Sequence, residues 1–413
     1  MRASSLSSFI FAFLPCINLS ASEKLSWNDC AREVISKNHD LQSAEHAIER
    51  VRSQHRASYS PFLPQIFAEA GYNRNDTFSL DEFFYGVSAK QSLFSGFRDK
   101  AQFERTKLDI EIEENRFQIA KAKVSADLKN AFAQMLYSAE QLKLSEEITA
   151  RRKDNLELVQ LRFESGRENK GSYLRNQAQL KQAQYEVAQA KRTRAVAQKD
   201  LLRVLARSFS SDVEIEGTLE IPKIVTKPNF EELVLRTPQY LVAKAEAQSA
   251  EKAVTIARGQ FFPDLALHGS FSKTGAAFPP NENRFAFGVT LSFPLFPGGK
   301  NIFDLQSTRA ERERSQSTLH ALRDQLTVTL QDFFARFEDA VERTAVQEDF
   351  YIAAQMRADV ARAKYTNGLL SFEDWDIIEN DLISTKKTRL QSFRDAWLAE
   401  AAWEQATGQG TLP

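Results

Sequence analysis

Cysteine is almost missing from this chain: there are two in 413 residues, Cys16 and Cys30. Cys16 falls in an amino-terminal stretch that reads as a secretory signal. Once that stretch is removed Cys30 is alone, and a lone cysteine forms no intrachain disulfide. A charge excess is missing too. Lys and Arg total 54 against 55 Asp and Glu, for a net charge of −1, which argues against a nucleic-acid partner, since binding one needs a basic surplus. No segment after the signal offers the roughly eighteen continuous apolar residues of a membrane-spanning helix. If the chain enters a membrane it must do so as strands closing into a barrel, because only helices and closed barrels satisfy the backbone in lipid. Proline and glycine are sparse, at 12 and 15 residues, while Ala, Gln, Glu, Lys, Arg and Leu fill long stretches, a composition of long helices.

What is present is phenylalanine, 31 residues in clusters, and an internal repeat. The signal covers 1–22: Arg2, an apolar Leu6–Leu14 stretch, and small residues Ser20-Ala21-Ser22 for cleavage. Leu14-Pro15 before Cys16 fits a lipidation box poorly, so cleavage near Ser22 is expected. After it, Pro61-Phe62-Leu63-Pro64-Gln65-Ile66 aligns with Gln260-Phe261-Phe262-Pro263-Asp264-Leu265. Gly86-Val87 aligns with Gly288-Val289, Leu93-Phe94-Ser95-Gly96 with Leu295-Phe296-Pro297-Gly298, and Arg162-Phe163 before Gly166 with Lys364-Tyr365 before Gly368. Four matches in order imply two copies of one supersecondary unit.

Each copy reads helix, strand, strand, long helix, turn, helix. The first spans 23–208, with a helix over 27–58, strands over 65–74 and 83–93, and a long helical hairpin over 98–207. The second spans 238–413, with a helix over 238–260, strands over 265–273 and 284–293, and a hairpin over 300–408. Pro61 and Pro64 end the first helix. Phe83, Tyr85 and Val87 alternate with Phe84, Gly86 and Ser88. Phe285, Phe287, Val289, Leu291 and Phe293 alternate with Ala286, Gly288, Thr290 and Ser292. Such alternation is the weak signature of transmembrane strands, and the aromatic set is the expected lipid-facing side. In the long helices apolar residues recur every seven positions: Phe103, Ile110, Phe117 and Val124, then in shifted phase Leu128, Met135, Leu142, Leu156 and Phe163, with Leu319, Leu326 and Phe333 in the second copy. This is coiled-coil spacing. Gly166 and Gly368 sit where each long helix should end in a left-handed cap. Residues 209–237 read as a connector, with a short strand at Val213–Leu219 and a short helix at Phe230–Arg236.

Reactive chemistry is not in evidence. His39, His46 and His55 lack the spacing of a helical metal pair, and Pro297-Gly298-Gly299-Lys300 lacks the rest of a phosphate loop. No nucleophile has its base, so the chain reads as no enzyme, with no cofactor and no metal. Four strands cannot close a membrane barrel, since about eight is the smallest that works. The chain must therefore oligomerise, and three copies would supply about twelve strands, an ordinary barrel size.

Those motifs, taken in order from Leu25 to Leu412, resemble the TolC-like outer-membrane efflux and secretion channels. The resemblance implies a mainly α fold with a small membrane β-barrel. A homotrimer would form a 12-stranded β-barrel in the outer membrane on an α-helical barrel in the periplasm. It implies a passive exit duct of a tripartite efflux pump or type I secretion system, partnered by a periplasmic adaptor protein and an inner-membrane transporter. On the same resemblance, Tyr365 matches the tyrosine of a constriction network and Asp374 an acidic ring at the entrance. The tips Gly166, Arg167, Gly368 and Leu369 match adaptor contacts. Ser172 stands where the family has a partner aspartate and Leu370 where it has an arginine, so either closure uses other contacts, with Arg167, Glu168 and Glu373 as candidates, or the tips are held more loosely. The competing reading is an exported structural or adhesive coiled-coil protein without channel activity; it leaves the aromatic hairpins unexplained.

Overall fold

A computed structural model describes residues 23–75, 80–224 and 226–412. The expected signal segment, with Cys16, lies outside the described residues. The first copy contains β1 (Glu23–Leu25), α1 (Trp27–Lys37), α2 (His39–Ala57), a short 3₁₀ turn at Pro61, β2 (Gln65–Asn75), β3 (Leu80–Ser95), α3 (Arg98–Glu164) and α4 (Lys170–Val204). The connector carries β4 (Val213–Ile215) and α5 (Phe230–Val234). The second copy follows with α6 (Pro238–Gly259), β5 (Asp264–Gly275), β6 (Glu282–Ser292), α7 (Lys300–Thr366) and α8 (Phe372–Thr407). Helices α3 and α7 have 67 residues each, about 100 Å at 1.5 Å per residue. No described helix is long and apolar enough to cross a membrane.

Two expectations need correction. The single helix over 27–58 is two, because Asn38 adopts an extended backbone (φ −64°, ψ 126°). Its side-chain oxygen accepts from the amides of Asp40 and Leu41 at 2.9 and 3.3 Å, and its amide nitrogen donates to the Val204 carbonyl at 3.1 Å. Asn38 thus starts a second helix and ties it to the end of α4. The second correction concerns phase. After Met135 the buried column of α3 is Ser138, Ser145, Arg152 and Val159, every seventh residue. Leu142 and Leu156 are half-buried and Phe163 is exposed. An apolar reading could not see small and paired polar residues carrying the seam.

The equatorial core gathers Cys30 and Val34 of α1, Leu128, Phe132 and Met135 of α3, and Leu201 and Leu202 of α4. Val213 of β4 joins them, held there because β4 pairs in parallel with β1. Burial pushes the Cys30 thiol up to about 11, so it behaves as a small hydrophobe. Across the bundle, α5 inserts Phe230 and Val234 against Leu330, Phe334 and Phe337 of α7 and Trp403 of α8. Lys129, buried on α3, reaches Glu400 and Glu404 of α8 at 2.7 and 2.9 Å and joins the copies by charge.

The hairpins of both copies form one antiparallel sheet in the order β2-β3-β5-β6. Opposed residues in such a ladder share a face. The register therefore puts Ile66, Ala68, Ala70 and Tyr72 with Phe83, Tyr85, Val87 and Ala89. Leu265, Leu267 and Phe271 continue that face, and Phe285, Phe287, Val289 and Leu291 complete it. Gln65, Glu69, Ser88, Lys90, His268, Ser270, Arg284 and Thr290 lie on the opposite face, which is mainly polar. Phe293, expected at the end of the aromatic face, falls one residue beyond β6. The sheet meets the helices at a tight junction: a Cβ on Gly96 would stand 2.4 Å from the Gly259 carbonyl oxygen. Gly96→Val should therefore part β3 from α6 and lower the yield of folded protein, read by detergent-phase size exclusion.

Candidate functional site

The two long hairpins end together, and each turns the same way. Gly166 (φ +73°) donates to the Phe163 carbonyl at 3.0 Å and Arg167 to the Arg162 carbonyl at 2.8 Å. Gly368 (φ +76°) and Leu369 repeat the pattern onto Tyr365 and Lys364 at 3.0 and 2.8 Å. These are Schellman caps, which need the left-handed conformation that glycine adopts freely. A Cβ at either glycine would meet nothing within 4 Å, so Gly368→Ala should cost only the backbone term, about 1 kcal/mol, measurable by chemical denaturation. The returning helices are capped by Asn169, which accepts from the Ser172 amide at 2.9 Å, and by Ser371, which accepts from the Asp374 amide at 3.1 Å. Ser172 and Asp374 are thus equivalent positions of the repeat, one buried and one exposed.

Tyr365 lies in the middle of the tip with no exposed surface. Its ring stacks on Trp375 of α8 with centroids 4.3 Å apart and planes 6° apart. The Arg162 guanidinium sits over the ring at 4.6 Å and donates to the Tyr365 carbonyl at 2.8 Å. The Tyr365 hydroxyl donates to Glu168 Oε2 at 2.9 Å. Burial, and then the Glu168 carboxylate, hold that hydroxyl well above its ordinary pKa, so it remains a donor at neutral pH. Residues from both hairpins therefore clasp across the tip without an aspartate at 172 or an arginine at 370. Of the candidate replacements, Glu168 makes the contact. Arg167 and Glu373 are exposed, and no described hydrogen bond or ion pair involves their side chains. Asp374 is exposed and accepts from the Ser371 hydroxyl at 2.8 Å.

Behind the tip lies a polar ladder that apolar periodicity did not reveal. Arg151 of α3 donates two hydrogen bonds to Glu379 of α8, at 2.7 and 2.8 Å, and Asn155 donates to Glu379 Oε2 at 3.2 Å. Asp376 accepts from Gln179 at 2.8 Å and pairs with Arg175 at 2.8 Å, both on α4. Arg152 donates to Asn380 at 2.6 Å. Glu379 and Asp376 are almost fully buried, so each relies on these partners for its charge. The Glu379 hydrogen bonds raise the Arg151 pKa, whereas burial lowers that of Arg152. A readable signal existed: Phe372, Trp375, Asp376, Glu379, Leu382 and Ile383 follow the 3–4 spacing of one buried helix stripe. Acids on such a stripe call for buried partners.

Among the described residues no group of three or more His, Cys, Asp or Glu could hold a metal ion. What the arrangement offers is a pair of long hairpins locked at one end and a half-apolar sheet at the other. The chain is 23% identical over 372 residues to the probable outer membrane lipoprotein SilC of Salmonella typhimurium, covering 87% of this chain and 80% of that one. It is 21% identical over 400 residues to the cation efflux system protein CusC of Escherichia coli strain K12, covering 92% and 85%. The open-state outer-membrane channel MtrE of Neisseria gonorrhoeae superposes with a TM-score of 0.82 at 18% identity, over 95% of this chain and 93% of that one. The outer membrane efflux protein family profile matches residues 30–207 and 230–409, one match for each copy of the repeat. The chain belongs to the outer membrane efflux protein family, and its hairpins and shared sheet are those of an outer-membrane channel rather than of a coiled-coil stalk.

Proposed function

We propose that three copies of this chain close one barrel and one helical tube, and that the assembly is a passive exit duct. The observation that carries the reading is the sheet. It has a continuous apolar face, and its outer strands β2 and β6 each keep an edge with no described partner. Unpaired edges beside an apolar face are satisfied in lipid only by closure, and the β2 edge of one copy can take the β6 edge of the next. The set Phe83, Tyr85, Val87, Phe285, Phe287, Val289 and Leu291 then meets lipid. A second seam agrees: Val346, Phe350, Met356 and Val360 leave an exposed apolar stripe along α7, of the kind a neighbouring helix covers.

On this reading the clasp of Tyr365, Glu168 and Arg162 holds the tube shut, and Gly166, Arg167, Gly368 and Leu369 are presented to a periplasmic adaptor that brings an inner-membrane transporter. Three Asp374 carboxylates converging at the entrance would favour cations. Detergent extraction with mass measurement and planar-bilayer recording tests the whole: a trimer that conducts is expected, and a monomer with no conductance sinks it. Asp374→Ala should lower cation preference in the same recordings while leaving the trimer intact. Unchanged selectivity would leave Asp374 only its capping bond with Ser371.

A further inference from the structure

Side chains shrink along β2 on the apolar face of the sheet. Ala68 and Ala70 stand opposite Val87 and Tyr85 of β3, and Phe271 of β5 stands opposite Val87 on the other side. The drop in size leaves a hollow of about 430 Å³, almost wholly apolar, lined by Ala68, Ala70, Tyr85, Val87, Phe271 and Lys273, together with Glu69 and Gly86, which the register assigns to the other face. Lys273 is the one cation of that lining. It is paired in register with Tyr85 and Asn283, and no described hydrogen bond or ion pair involves its side chain.

Where Lys273 stands on the strand matters. It is two residues from the loop end of β5, and Leu265 marks the helix end of the same face. At roughly 3.3 Å per residue the two are about 26 Å apart along the strand, or about 20 Å in depth for a tilted barrel strand. A lysine at the middle of a lipid-facing band is costly, but near the headgroups the cost falls almost to nothing. On the barrel reading Lys273 would fall at the headgroup level, where a lysine can keep its stem on apolar surface and its ammonium in water.

We propose that this hollow is a binding site for a phosphorylated outer-leaflet lipid, with an acyl chain in the Ala68–Ala70 trough and a phosphate on the Lys273 ammonium. The proposal rests on the membrane-barrel reading above. Charge complementarity selects the occupant: an unpaired cation at the outer end of an apolar trough matches an anionic head above a hydrocarbon chain. In the closed barrel β6 of the next copy would bring Phe285 and Phe287 alongside β2, giving the trough its second wall.

Native mass spectrometry of the detergent-extracted full chain tests this, using diphosphorylated lipid A against its dephosphorylated form. Wild type is expected to retain the phosphorylated form selectively. Lys273→Gln should weaken retention about fivefold, the contribution of one basic residue at an anionic surface. Ala70→Leu, which fills the trough, should weaken retention of both forms. Equal retention by wild type and Lys273→Gln, or no discrimination between the two lipids, overturns the proposal. Displacement of the lipid by millimolar inorganic phosphate would overturn the acyl-chain part. The same sample separates this from the channel reading: a non-conducting monomer fails that reading, whereas a conducting trimer that retains no lipid A overturns this site alone.

Discussion

Glu379→Ala should destabilise the docking of the two hairpins by about 3–5 kcal/mol, the usual consequence of removing one partner from a buried ion pair. The magnitude follows from burial. Glu379 has 1% of its surface exposed, and its loss leaves the Arg151 guanidinium without two charge-assisted hydrogen bonds in a site that water reaches poorly. Replacing both residues by methionine should recover most of that loss, because a packed apolar pair needs no counter-charge. Urea unfolding of the detergent-solubilised protein, arranged as a double-mutant cycle with Arg151→Met, measures the coupling. A single-mutant loss under 1 kcal/mol would mean that the ladder is surface-like and does not hold α8 to α3.

The tip should respond to Tyr365→Ala almost as strongly, at about 3–5 kcal/mol for emptying an aromatic site. The stack on Trp375, the Arg162 contact and the Glu168 hydrogen bond disappear together. Tyr365→Phe separates the parts: it keeps the stack and removes only the hydroxyl, so its stability cost should be near 1 kcal/mol. Bilayer recordings are expected to give higher open probability in both variants, with alanine the larger effect. Glu168→Gln retains an acceptor but loses its charge and should fall between wild type and Tyr365→Phe. If Tyr365→Phe conducted like wild type, the hydroxyl would have no part in holding the tip closed.

Much of this molecule can be read before folding it. The matches at Pro61 and Gln260 and at Gly166 and Gly368 are local devices, since strand starts after proline and left-handed caps are set by neighbouring residues. The shared apolar face was legible because strand alternation has a period of two and admits no phase error without exposing every side chain. The clasp partner was only half legible. Glu168 was one of three candidates near Tyr365, and the choice depends on how two turns distant in sequence approach each other. Arg162 was visible as a repeat landmark, but no pattern assigned it to the Tyr365 ring. Asp376, Glu379, Arg151 and Arg152 escaped for another reason: on a seam defined by apolar residues, charged ones count as interruptions, although neutralised pairs fill space as well as leucine. Asn38 shows the same limit at small scale, where one side chain could continue a helix or begin a new one and a carbonyl at residue 204 decided it.

The strand order has a consequence for how the protein is made. β3 pairs with β5, so the centre of the sheet joins residues more than 160 positions apart in sequence. The first hairpin is synthesised with its aromatic face finished and its inner partner absent, and two-stranded hairpins are at best marginally stable alone. The first copy alone can form only the β2-β3 hairpin of the four-stranded sheet. A chain emerging from an export pore would complete the 67-residue α3, the 35-residue α4, the connector and α6 before it could pair its third strand. Assembly of such non-local pairings is slow, and the waiting hairpin exposes unpaired strand edges. The first hairpin therefore stays without its inner partner, and open to wrong pairings, until residues 264–275 arrive in the middle of synthesis.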